Sequence, residues 1–251
     1  NIDIVGGETM FFDQIIGQIT KAKGVDRLVK HSDNIQDVKD AILGSDDVKG
    51  NLLEKVKEFA TKYGISTEDI KIGRVKYSGG GDWYNDPSSE VNLLNYVKIN
   101  TSAETKPIYE YVDLKSDELF DYPILFLTGH GNVNFSDKEA DNLRLYLENG
   151  GFLYIDDDYG LEPYIRKEIK KVFSNKEFLE IPFTHPIYSI QYDFTSGPPK
   201  IHEHDDKPPK SYGIFVDDRL AVFFTVESNP SDGWADPDTH NDSPQLREMS
   251  L

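Results

Sequence analysis

Two hydrophobic periodicities divide the chain. Up to about residue 66, apolar residues recur at helical spacing, first as Phe11, Phe12, Ile15, Ile16 and Ile19 and again as Leu52, Val56, Phe59 and Tyr63. A 3.6-residue repeat puts each set on one helix face. Glu58 and Lys62 are placed for an i,i+4 pair, and Gly24, Gly44, Gly50 and Gly64 mark helix ends. Residues 1–66 are therefore expected to form a helical segment, in which His31 is a solvated surface residue. From about Lys71 the pattern changes to short β-branched or aromatic runs bounded by Gly, Asp or Pro. Ile72 to Tyr77, Ile108 to Val112, Ile124 to Thr128 and Phe152 to Asp156 read as strands. Helices are predicted between them. Asp86 followed by Pro87 reads as an N-cap leading into Val91, Leu94 and Val97. Ser136 with Glu139 reads as a capping box before Ala140, Leu143 and Leu147, and Gly150 closes that helix in a left-handed turn. Strands alternating with helices predict an α/β domain over residues 67–251, with a mainly parallel sheet covered on both faces. Tyr212 to Val216 and Leu220 to Val226, joined at Asp217 and Asp218, predict a hairpin that adds antiparallel edge strands.

Open parallel sheets bind ligands beyond the carboxyl ends of their strands. Three polar segments follow predicted strands at that end: Ser78 to Asp86, Gly129 to Asn132, and Asp156 to Gly160. One rim thus collects Asp82, His130 and a triple aspartate. Gly79, Gly80 and Gly81 lack the residues of a nucleotide-binding loop, so a tight turn is expected. His130, between two glycines, is a general base, a ligand or a loop brace. Asp156, Asp157 and Asp158 cannot all be buried and charged without partners. At least one is expected to cap the helix beginning near Leu161, leaving another for a cation or for acid/base work. In His202-Glu203-His204, an extended backbone would turn both imidazoles to one side and Glu203 to the other, so the pair could share a metal ion. A third ligand would come from His130, His185, His240 or Asp157. The run from Asp236 to Asp242 alternates oxygen donors but lacks the glycine and glutamate of an EF-hand, and reads as a structured loop. Trp83 and Trp234 fall in polar loops, where they either stack on a ligand or anchor the loop to the core. Tyr84 and Tyr159 lie in the same rim segments.

Composition narrows the chemistry. The formal net charge of −18 over 251 residues repels phosphate backbones, and no Lys/Arg stripe reverses it locally, so nucleic acid is not an expected partner. Cysteine is absent, which removes thiol nucleophiles, Cys-type zinc sites and iron–sulfur clusters. No apolar run approaches the roughly 20 residues of a membrane helix. No G-x-S-x-G elbow supports a Ser/His/Asp triad, while a paired-carboxylate glycosidase stays open. Asn1 in first place leads to the expectation of a trimmed or processed chain, with any signal peptide already removed.

From about Ile72 to Arg247 the chain resembles a bacterial family, domain of unknown function 4159. The resemblance rests on RVKYSGGGDWYNDPSS (74–89), LTGHGN (127–132), LRLYLENGGFLYIDDDYG (143–160), HPIY (185–188), KIHEHD (200–205), GIF (213–215), and DGW followed by HND (232–242). It implies a fold similar to the class I glutamine amidotransferases, a flavodoxin-like three-layer sandwich. Asp156 to Asp158 would then occupy the place of the nucleophile elbow, and aspartates where those enzymes have cysteine exclude glutaminase chemistry by that route. Relatives often carry secretion signals, and their genes often lie near those for MoxR-type ATPases and von Willebrand factor A proteins. The resemblance therefore implies an extracytoplasmic setting, in the periplasm or cell envelope. It does not reach residues 1–66, and it implies a C-terminal helix longer than the one Ser243-Pro244 opens here.

These features give two expectations. In the first, the His/Asp-rich rim binds a polar ligand, a glycan or small molecule, or an envelope partner protein, through Asp82, Trp83, Tyr84, Asp156, Asp158, Tyr159 and Trp234. In the second, the protein is a metal-dependent hydrolase acting on a polar, carbohydrate-like substrate. A divalent metal ion would be held by His202 and His204 with His185 or His240, and Asp157 and His130 would act as catalytic groups.

Overall fold

Short strands with alternating faces build one seven-stranded sheet. The computed structural model describes residues 70–251 apart from 102, 191 and 203, so the helical reading of residues 1–66 and the orientation of Glu203 lie outside the described residues. The chain divides into two compact units, residues 1–69 and 70–251. In the second unit the elements run β1 (Ile72–Lys76), α1 (Ser89–Asn100), β2 (Glu110–Asp113), β3 (Ile124–Leu127), α2 (Asp137–Glu148), β4 (Phe152–Asp156), α3 (Glu162–Val172), β5 (Leu179–Glu180), β6 (Lys210–Val216), β7 (Arg219–Val226), α4 (Pro230–Trp234) and α5 (Pro244–Ser250). The strand order is β2-β1-β3-β4-β7-β6-β5. The first five of these are mutually parallel, and β6 and β5 complete one edge in antiparallel fashion. Strand order reverses between β1 and β3, and at such a point the loops leaving the two strands diverge and open a crevice.

The central strands β1, β3 and β4 serve two cores. Val75, Leu125, Leu127, Leu153, Ile155, Val222 and Phe224 face the apolar stripes of α2 and α3, which include Leu143, Leu147, Ile165 and Ile169. Ile72 and Phe126 face the other way, toward Leu94 of α1 and Trp234 of α4. The capping box is present, with Ser136 accepting from the Glu139 amide and Glu139 reaching back. Gly150 has φ 104 and ends α2 as expected. Asp217 and Asp218 both have positive φ, 49 and 63, in the two-residue turn between the paired Val216 and Arg219. Left-handed backbone at both central positions is what a type I′ hairpin requires.

The N-terminus of α1 differs from expectation. Its N-cap is Ser88, two residues past Asp86, and Ser88 makes no side-chain capping bond. Asp86 instead has φ 44 and turns its carboxylate to His240, 3.0 Å away. An ion pair from a distant loop outcompetes the local capping role.

Candidate functional site

The rim begins with a buried arginine. Arg74, on β1, shares the strand face of Ile72, and its guanidinium lies 4.8 Å from the Phe126 ring centroid. It pairs with Glu90 of α1 through two bonds, Nε to Oε1 at 2.5 Å and an Nη to Oε2 at 2.7 Å, with both side chains fully buried. It also donates to the carbonyls of Trp83 at 2.9 Å and Asn85 at 2.8 Å. A charge taken from water needs such complete satisfaction. The bonds fix the loop that carries Asp82, Asn85 and Asp86. The loop also lies against the one leaving β3: Gly81 donates to the Asn132 carbonyl at 3.0 Å, and Asn134 to that of Ser78 at 2.7 Å. A Cβ on Gly79 would sit 2.7 Å from the Asn132 carbonyl oxygen, and its φ of +118 disfavours other residues as well. The triple glycine thus permits close approach of two backbones.

His130 stands where these loops meet. Its Nδ1 is 3.0 Å from Asp82 Oδ2 and 3.2 Å from Asp158 Oδ2, and its backbone amide donates to Asp82 Oδ1 at 2.5 Å. Asp158 is further held by the side-chain amides of Asn85 and Asn229. Carboxylates on Nδ1 orient the ring and leave Nε2 as the nitrogen for chemistry.

A second group of side chains converges from the segments after β7 and before β6. Ligand atoms of His202, His204 and Asp232 lie within 4.8 Å of one another, and so do those of Asp86, Asp232 and His240. The His202 and His204 rings are 4.7 Å apart, and Tyr159 lies 4.5 Å from the His204 ring. His202 Nδ1 is 3.8 Å from Asp242 Oδ1. Asp232 is only 3% exposed. Its Oδ1 and Asp242 Oδ2 are buried without a hydrogen-bond partner among the described residues. Asp86 (φ 44), Asn229 (φ 51) and Asn241 (φ 60) adopt left-handed backbone beside these groups, a costly conformation that concentrates at functional sites.

Electrostatics follow from burial. Asp158 is pushed up to about 7 by burial and then by the Asp232 charge, with His130 opposing. Burial raises Asp232 to about 6, which the Asp156 and Asp86 charges reinforce and His240 opposes. Asp86 holds the His240 imidazole up at about 9, with added pull from Asp232 and Asp158 against burial. His204 is lowered by burial and by His202 and His130, which favours a neutral ring with a free lone pair.

Not every candidate reaches this cluster. Asp157 accepts from the amides of Leu161 at 2.7 Å and Glu162 at 3.1 Å, so its carboxylate holds the start of α3, the capping role expected of one of the three aspartates, and lies outside this cluster. Asp156 is fully buried and accepts from Thr225 Oγ1 at 2.6 Å and from the Ser231 amide and hydroxyl at 2.9 and 2.7 Å. It ties β4 to α4 and so positions Asp232, a brace where ligand contact was expected. Trp234 is 5% exposed and packs on Phe126 and Tyr154, so it is a core residue and not a stacking platform. His185 accepts from the Ile187 amide at the start of a 3-10 turn and belongs to neither ligand group. Trp83 is partly buried against Tyr84 and Tyr111, while Tyr84 and Tyr159 are 62% and 49% exposed. Sequence reasoning missed Arg74, Asp86 and Asp232 as site residues. Asp232 had a signal in the DGW motif.

No described helix is long and apolar enough to cross a membrane. No curated protein matches the chain. The family described as Domain of unknown function (DUF4159) matches residues 71–251, the whole span that carries the sheet and the rim, and the chain belongs to that family.

Proposed function

We propose that the protein is a metal-dependent hydrolase whose rim binds a divalent transition-metal ion through His202, His204 and Asp232. One observation carries this reading: two histidines and a buried carboxylate present their ligand atoms within 4.8 Å of one another, and Asp232 Oδ1 has no hydrogen-bond partner among the described residues. Two imidazoles and one carboxylate form a three-ligand set that leaves room for water, as in catalytic zinc sites. Asp242 beside His202 is the kind of carboxylate that orients a ligating imidazole. A bound ion would lower the pKa of a coordinated water and polarise a substrate oxygen. His130, with Nδ1 held by Asp82 and Asp158, presents Nε2 as the group that takes a proton from water or returns one to the leaving group. Exposed Tyr84 and Tyr159 offer flat faces for a polar, carbohydrate-like substrate.

The finer fold reading is a flavodoxin-like three-layer sandwich similar to the class I glutamine amidotransferases. The reversal of strand order between β1 and β3 supports it, as do helices packed on both sheet faces. The family resemblance supports an extracytoplasmic setting. A second reading, a rim that binds a polar ligand or partner protein without catalysis, is favoured by the ion pairing of His130 and His240 to carboxylates. Metal content of the purified, untagged protein separates the two. Under the hydrolase reading the wild type carries zinc, manganese or iron near stoichiometry and a His202→Ala/His204→Ala variant loses it. No metal in either after dialysis against zinc and manganese would leave the binding reading.

A further inference from the structure

We propose that the rim holds two divalent metal ions that share Asp232, the second held by Asp86, Asp232 and His240. The inference rests on the metal-site reading above and extends it from one ion to a pair.

Donors and acceptors are mismatched around His240. Asp86 and Asp232 both face a single nitrogen, His240 Nε2, at 3.0 and 3.8 Å. Both carboxylates are buried, with side-chain exposures of 10% and 2%. An imidazolium has one proton on Nε2, and one proton cannot satisfy two carboxylates. Asp86 takes the Nε2 proton at the shorter distance, so Asp232 Oδ1 is left buried without a hydrogen-bond partner among the described residues. The single imidazolium charge of His240 lies between two largely buried carboxylates and reaches Asp232 only at 3.8 Å, which leaves a local excess of negative charge that is costly to bury. A divalent ion, unlike a proton, can be bound by all three groups at once.

Asp232 belongs to both ligand groups. A carboxylate has two oxygens and can bridge two ions, and in paired-metal hydrolases such ions clamp the attacking and leaving oxygens of one displacement. The mixed nitrogen and oxygen donors suit Zn²⁺, Mn²⁺ or Fe²⁺ better than Ca²⁺ or Cu⁺. Asp232 is held in place for this. Asp156 binds the Ser231 amide and hydroxyl, and Arg74 fixes the loop that bears Asp86.

The test counts ions and asks whether they are coupled. Metal-free protein is reconstituted with Mn²⁺ or Zn²⁺, passed through a desalting column and analysed by inductively coupled plasma mass spectrometry. The expected ratio is about two ions per chain in the wild type and about one in Asp86→Asn and in His240→Gln, with circular dichroism confirming that the variants fold. The Mn²⁺-loaded wild type, which needs no variant, is expected to give an exchange-coupled electron paramagnetic resonance spectrum. About one ion per chain with an uncoupled spectrum, unchanged by Asp86→Asn, overturns the pair and leaves the single-ion site standing. No bound metal overturns both.

Discussion

The two halves of the rim are built from the same residue types and are satisfied differently. Around His130, Nδ1 also faces two carboxylates, but each has other donors: Asp82 accepts from the His130 amide, and Asp158 from the side-chain amides of Asn85 and Asn229. Around Asp232, two carboxylate oxygens, Asp232 Oδ1 and Asp242 Oδ2, are buried without a hydrogen-bond partner among the described residues. Buried polar atoms are nearly always paired in native proteins, so a concentration of unpaired ones marks a place where something else binds. The first half is a finished scaffold. The second is a set of ligands held in place by that scaffold.

The largest expected effect comes from dismantling the scaffold beneath both halves. Arg74→Met removes one partner of a fully buried ion pair and leaves Glu90 uncompensated, for an expected loss of about 3–5 kcal/mol. A urea-unfolding midpoint reduced by less than the equivalent of about 1 kcal/mol would mean that the pair does not organise the loop.

Next in size is the effect of metal on stability. Zinc at about a hundredfold above its dissociation constant is expected to stabilise the wild type by about 2.7 kcal/mol, read as a rise in Tm. Asp232→Asn should abolish that rise, because Asp232 belongs to both ligand groups. An equal rise in the variant would place any zinc elsewhere.

The pH dependence of the metal-free protein is a smaller test, made with groups that brace the site. Burial raises Asp156 to about 7 and Asp157 to about 6. A group whose pKa is raised on folding binds more protons in the folded chain than in the unfolded one. Its contribution is therefore fully present below the unfolded value of 3.8 and is lost as pH rises through the folded value of about 6 to 7. Stability should fall between pH 4 and 7, by about 1.4 kcal/mol for each tenfold difference in proton affinity between the folded and unfolded chains. Asp156→Asn should flatten this slope in urea-unfolding experiments at pH 5 and 8. A wild type that gains stability over that range would contradict the assignment.

The smallest effect is expected at the exposed edge of the finished half. Asp82 and His130 side chains are 34% and 48% exposed, so Asp82→Asn should cost no more than about 1 kcal/mol and leave metal content unchanged. If activity is found, its pH profile should shift in this variant, because Asp82 orients His130.

What the sequence revealed was local. The capping box at Ser136 and Glu139, the left-handed Gly150 and the Asp217-Asp218 turn are each written within a few adjacent residues, and all three are present. The meeting of Asp82, His130 and Asp158 after three strands followed from the rule that loops at the carboxyl ends of parallel strands share one rim. His202 and His204 do lie close, with rings 4.7 Å apart, but on bends and not on the extended backbone that their spacing suggested. Long-range pairing stayed hidden. Nothing next to Arg74 in the sequence points to its partner Glu90, sixteen residues on. Asp86 reads as an ordinary N-cap until His240 arrives from the far end of the chain. Trp234 reads as a loop residue until Phe126 and Tyr154 form the wall it packs on. Asp157 reads as a chemical group although the same triple aspartate must also supply a helix cap, and the choice among three neighbours depends on which one meets the amides of Leu161 and Glu162.

The most direct test of the metal site is anomalous X-ray diffraction from zinc-soaked crystals, with data collected on either side of the zinc absorption edge. The expected result is an anomalous peak within coordination distance, about 2.0–2.2 Å, of His202, His204 and Asp232. A map with no peak there, and with the two histidines hydrogen-bonded to protein groups instead, would contradict the metal site and with it the hydrolase.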